Sequence, residues 1–80
     1  MGYSKKCLRC NKAGEEQWFL NEPVRQTSLI AEIDEGGYIQ DIEVVEVDNN
    51  GCGLLRTYYE CTCGHSYLKT EWEKLEVVKI

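Results

Sequence analysis

The sequence predicts a mostly β fold: a small antiparallel sheet of three or more strands, ending in a short helix or a further strand. Three observations predict it. Period-two alternation and β-branched composition run through the middle of the chain. Two strong turn signals, Glu35-Gly36-Gly37 and Asn49-Asn50-Gly51, punctuate that stretch. Five cysteines in 80 residues point to a staple where a chain this short cannot build a large apolar core.

Residues 1–16 are polar, with Cys7 and Cys10 inside KKCLRCNKAG. Gln17 to Leu20 (QWFL) reads as a short apolar strand ended by Asn21-Glu22-Pro23. From Val24 to Asp34 the residues Leu29, Ala31 and Ile33 alternate with Ser28, Glu32 and Asp34, the signature of a half-buried strand. After the glycine turn, Tyr38 to Asp48 (YIQDIEVVEVD) is rich in β-branched residues. Its apolar phase switches at Val44-Val45, which predicts a bulge or a strand covered on both faces. Leu54 to Thr62 resumes strand composition, so the centre reads as a three-stranded antiparallel meander. A strand from Ser66 to about Thr70 follows. Thr70 and Glu73 then match a capping box, with Trp72, Leu75 and Val78 at helical spacing, whereas EVVKI at the end looks like strand.

No run approaches the length of a membrane span, and MGYSKKCLRC has no apolar signal region. Lys6 also stands where a myristoylation pattern needs Ser or Thr. The expectation is therefore a cytoplasmic protein. In that compartment five cysteines do not form disulfides, and the odd count argues against a closed disulfide framework.

Metal is the better explanation. Cys7-Leu8-Arg9-Cys10 has the spacing that lets two thiolates share an ion while the backbone between them curls beneath it. A second close pair, Cys61-Thr62-Cys63, is followed by Gly64, where a tight knuckle needs positive φ. Soft thiolates in tetrahedral geometry select zinc. The combination of KCLRCN, a strand-rich middle and YECTCGHSY resembles the zinc-ribbon group, in which two cysteine knuckles clamp one zinc at an end of an antiparallel sheet.

The resemblance covers the two cysteine-bearing stretches and the β character. It implies a single zinc-ribbon-like domain over residues 1–80. The favoured ligand set for one structural Zn2+ is Cys7, Cys10, Cys61 and Cys63. His65 is an alternative to one of the second pair, since three cysteines and a histidine also bind zinc; otherwise it is a surface imidazole beside the knuckle or a donor to a ligand sulfur. Cys52 is a further candidate, or a small hydrophobe in a strand. Two departures stand out: the second knuckle has one residue between its cysteines where two are commoner, and the spacer is long. The long spacer implies an extra strand or an extended hairpin.

The formal charge of −5 makes the chain a poor general binder of phosphate backbones. The charges are segregated. Lys5, Lys6, Arg9 and Lys12 flank the first knuckle, while Gln26 to Leu55 holds no Lys or Arg but carries Glu32, Asp34, Glu35, Asp41, Glu43, Glu46 and Asp48. The sequence offers no catalytic residues: one histidine, no nucleophile elbow and no phosphate-binding loop.

The leading functional expectation is a non-enzymatic zinc module whose acidic sheet docks on a basic protein surface, in transcription or another nucleic-acid machine, with no membrane and no small-molecule substrate. A second is a nucleic-acid-binding ribbon using the basic knuckle and Trp18, Phe19, Tyr58, Tyr59 and Tyr67, which otherwise roof the core. A third is an accessory factor acting on a polymerase active site. Asp34-Glu35 resemble the Asp-Glu hairpin tip of transcript-cleavage ribbons, without the surrounding basic residues.

Overall fold

In the computed structural model, residues 2–23, 26–47 and 56–80 are described. Among them, seven strands and one short helix follow in the order β1 (Tyr3–Lys5), β2 (Trp18–Glu22), β3 (Gln26–Ile33), β4 (Ile39–Val47), β5 (Tyr58–Cys61), β6 (Ser66–Leu68), α1 (Lys69–Glu73) and β7 (Val77–Lys79). Every pairing is antiparallel. The sheet runs β6-β5-β2-β3-β1-β7, with β4 added on β3.

The mostly β architecture agrees with the sequence pattern, but the central connectivity does not. β5 does not continue the meander beside β4; it pairs with β2, aligning Trp18 with Cys61 and Leu20 with Tyr59. The reason is burial. Tyr59 and Cys61 are the inward residues of β5, and only beside β2 do they meet Trp18 and the first cysteine pair. β1 lies in the polar N-terminal stretch that showed no strand signal, and it is held by three register pairs with β7.

Aromatic rings dominate the core. Trp18, Tyr59, Tyr67 and Trp72 are buried with Ile30, Ile33, Leu75, Cys7 and Cys61. Trp72 stacks on Tyr59 with centroids 4.1 Å apart, and Trp18 meets both Tyr67 and Trp72 edge-on. Face-to-edge and offset contacts suit rings with negative faces and positive rims. Trp72 arrives from α1, so the helix roofs the inner face of the sheet at the cysteine-bearing end.

The helix starts two residues earlier than the Thr70 cap predicted. Leu68 is the N-cap, and its N–H donates to Glu71 Oε1 at 2.9 Å. Both readings of the tail are realised in turn, a single helical turn and then a strand. Lys5 is buried rather than part of a basic surface. Its Nζ sits 4.9 Å from the Trp72 ring centroid and donates to the carbonyls of Glu73 and Leu75. Burial pushes its pKa down, and the nearby Glu73 carboxylate partly offsets this. A cation at the C-terminal end of a helix satisfies carbonyls left without partners there.

The β3–β4 hairpin turns where Glu35-Gly36-Gly37 predicts. Gly37 takes φ 86, and Asp34 Oδ1 accepts from the N–H groups of Gly36 and Tyr38. Asp34 Oδ2 accepts from Gln40 Nε2, so its carboxylate is committed to its own turn. The phase switch at Val44-Val45 is a bulge: Ser28 faces Val44, Thr27 faces Glu46, and Val45 is the extra residue. β4 is not covered on both faces; Val44, Val45 and Val47 are each half exposed.

A second irregularity, at Ala31, shifts the phase of β3. Ser28, Ile30 and Ile33 point inward, whereas Ala31 is exposed, so the alternation of Leu29, Ala31 and Ile33 does not mark the buried face. Cys52 and the Asn49-Asn50-Gly51 turn lie outside the described residues. Among the described residues no helix is long and apolar enough to cross a membrane.

Candidate metal centre

Two tight loops bring four thiols together. In the first, Cys7 N–H donates to Lys12 O at 3.0 Å and Asn11 N–H donates back to Cys7 O at 2.8 Å. In the second, Cys61 N–H donates to His65 O at 2.9 Å and Gly64 N–H donates to Cys61 O at 2.8 Å. The second loop is the turn of the β5–β6 hairpin. In both loops the residue directly after the second cysteine is left-handed: Asn11 at φ 60 and Gly64 at φ 96. Glycine and asparagine are the residues that tolerate that region best.

This shared design explains the unequal spacings. The first loop encloses four residues between its closing pair, and the second encloses three. Each places its second cysteine immediately before the left-handed residue. The Cys-x-Cys knuckle is therefore the Cys-x2-Cys knuckle with one residue removed before the turn's end, not a broken version of it. Positive φ at Gly64 is legible in the sequence; its equivalent at Asn11 is not, because asparagine serves many other roles.

The Sγ atoms of Cys7, Cys10, Cys61 and Cys63 all lie within 4.8 Å of one another. Two separations cross between the loops, Cys7 to Cys63 and Cys10 to Cys61, both 3.7 Å. Four sulfurs at about 2.3 Å from a tetrahedral zinc would stand about 3.8 Å apart. The donor set thus fits such an ion in both chemistry and spacing. All four thiols are free of disulfides.

The thiols are unequal. Burial raises the Cys7 pKa, but backbone N–H groups of Cys10 and Arg9, the Tyr67 hydroxyl and the Cys63 thiol outweigh it and hold Cys7 down at about 6. Cys10 goes the other way, to about 11. Its burial and the crowding sulfurs of Cys61, Cys7 and Cys63 exceed the help of the Lys12 N–H. For Cys63 the His65 N–H and the Cys10 thiol lower the pKa, yet desolvation and the sulfurs of Cys61 and Cys7 leave it raised. One thiolate is welcome in this cluster and further negative charge is not, which is the electrostatic condition a divalent cation relieves.

Two side chains outside the cysteines brace the cluster. The Tyr67 hydroxyl lies 3.3 Å from Cys7 Sγ and accepts from Leu8 N–H at 3.0 Å. Gln17 Nε2 donates to Cys61 Sγ at 3.3 Å and to Lys12 O at 2.8 Å, while its Oε1 accepts from Gly14 N–H. The Gln17 carbonyl also accepts from Thr62 N–H. One residue thereby ties both loops to the start of β2. Sequence reasoning missed Gln17. The available signal was a polar residue opening an apolar strand, which is too common to single it out.

His65 contributes its main chain rather than its ring. Its imidazole stands edge-on to Tyr67, centroids 4.6 Å apart, and is not among the clustered ligand atoms. Comparison with models of protein families, with curated proteins and with solved structures finds no match for this chain. The functional argument therefore rests on geometry alone. That geometry also bears on the aromatic platform. Trp18, Tyr59 and Tyr67 are inside the core, where no base can stack on them, and only Phe19 and Tyr58 are partly open.

Proposed function

We propose that the protein is a zinc-ribbon-like, non-enzymatic interaction module. Cys7, Cys10, Cys61 and Cys63 hold one structural zinc, and the acidic outer face of the sheet docks on a basic protein surface. The observation that carries the metal half is the four-sulfur cluster with its 3.7 Å separations across two loops of matching design. Bound zinc supplies a cross-link between the N-terminal loop and the β5–β6 hairpin. Four thiolates leave it no open position for a substrate, which supports a structural role over catalysis.

The docking half is supported by how the register sorts the charges. Cross-strand partners share a face. Phe19, Leu29, Glu43 and Glu60 therefore lie on the outer face, together with Glu32, Asp41, Thr27 and Glu46. A row of carboxylates on one side of a sheet steers a positively charged partner and weakens with salt.

Metal analysis of the purified protein tests the first half. The expected result is one zinc per chain, with chelation unfolding the domain because site formation and folding are coupled. A folded, metal-free protein would overturn it. Salt-dependent capture of basic protein partners tests the second half, and retention that is unchanged by salt would count against it.

A further inference from the structure

The acidic face has an edge at β4. β4 pairs with β3 along one side, and among the described residues no strand occupies its other side. The backbone N–H and C=O groups along that side form a ready template for another strand. The register divides its side chains cleanly. Ile42 is opposite Ile30, Val44 opposite Ser28 and Val47 opposite Gln26, all on the inner face. Asp41 opposite Glu32, Glu43 opposite Leu29 and Glu46 opposite Thr27 lie on the outer face.

The helix packs against β5 and β6, and on β4 only Ile39 is packed against the core, so the inner side chains further along the strand stay open. Ile42 is 38% exposed, Val44 50% and Val47 52%. β4 thus shows two stripes along one open edge, one aliphatic and one acidic.

We propose that this edge accepts a short basic segment of a partner protein, added as an extra strand. Its alternate residues would be aliphatic toward Ile42, Val44 and Val47, and Lys or Arg toward Asp41, Glu43 and Glu46. The proposal rests on the docking reading above and names what docks. Charge decides the occupant. A second copy of this chain paired through β4 would set carboxylates against carboxylates, with no Lys or Arg between Gln26 and Leu55 to relieve them. Like charges on facing strands are destabilising and opposite charges stabilising. The acidic residues and the Val45 bulge protect the edge from self-association, but they leave it complementary to a basic strand. Main-chain pairing supplies affinity in such a mode, and the alternating side chains supply specificity.

The test uses zinc-loaded full chain and synthetic capped peptides of about six residues, a typical strand length. Alternating Lys–Val and Glu–Val sequences form the first pair. Two versions of the Lys–Val peptide, N-methylated on odd or on even residues, form the second. The expected result is binding of the basic peptide only, lost on methylation in one frame and kept in the other, with slowed amide exchange in β4. Glu43→Lys with Glu46→Lys should weaken it by about tenfold or more, a change of about 1.4 kcal/mol.

Binding that ignores both methylation frames would overturn strand addition while leaving acidic-face docking intact. No binding of the basic peptide at low salt would overturn both. A stable dimer at neutral pH, seen by sedimentation and with amide exchange in β4 slowed in the absence of peptide, would also overturn the proposal, because a second copy would then hold the edge.

Discussion

Tyr67→Phe isolates one contact of the metal centre. The substitution keeps the ring, so the edge contacts to Trp18 at 5.5 Å and His65 at 4.6 Å survive. It removes the hydroxyl that lies 3.3 Å from Cys7 Sγ and accepts from Leu8 N–H. A hydrogen bond to a charged group contributes about 1.5–3 kcal/mol. Leu8 is largely exposed, so water can recover much of the lost acceptor at its N–H. Nearly all the cost should therefore fall on the sulfur.

At about 1.4 kcal/mol per tenfold, that predicts zinc held roughly 10- to 100-fold more weakly, the range expected when a group supporting a metal ligand is removed. Competition with a chromophoric chelator measures this directly. Cobalt substitution shows whether the variant keeps a tetrahedral four-sulfur set. Affinity within about twofold of the parent, with the same cobalt spectrum, would refute the argument that Tyr67 stabilises the Cys7 thiolate.

Three further outcomes are expected. Serine at Cys7, Cys10, Cys61 or Cys63 should each abolish stoichiometric zinc, whereas His65→Ala should retain it; metal loss in the histidine variant would show that the ring is a ligand. Zinc affinity should climb from pH 6 to 8, because Cys10, pushed up to about 11, and Cys63, also raised, must each release a proton on binding. The folded pKa of Cys7 is depressed to about 6, so its contribution to stability is present above the ordinary thiol range and lost as pH falls through 6. A pH-independent zinc affinity would contradict the first statement, and metal-free stability that does not change as pH falls through 6 would contradict the second. Trp72→Ala should cost about 3–5 kcal/mol by denaturation of the loaded protein, most of what a domain this size possesses. Trp72→Phe, which keeps a ring over Tyr59, should cost clearly less, and equal costs would count against the stacked core.

Much of the local structure was legible in the chain. The Glu35-Gly36-Gly37 turn and the Val44-Val45 bulge were visible because glycine conformation and β-strand phase are encoded within a few residues. The cysteine pairs were visible for the same reason, since a knuckle is a local device. The tail was ambiguous because its signals overlapped, and the structure uses both, a helical turn at Trp72 and a strand at Val77. Lys5 misled for a different cause. Its charge suggested a surface, yet its long side chain caps the end of a helix 68 residues further along the chain.

By itself the sequence determined the β class, the turn at Gly37 and the four sulfurs that can meet. These depend on backbone preferences and ligand chemistry that act over short spans. Only the tertiary structure decided that β5 lies beside β2 rather than β4, that Gln17 and Tyr67 support the sulfurs, and that β4 carries an aliphatic and an acidic stripe along an edge with no partner among the described residues. Each of those depends on which distant residues share a face or a strand boundary. Strand pairing is chosen by total burial around Trp18, Tyr59 and Trp72, and no local pattern records that sum.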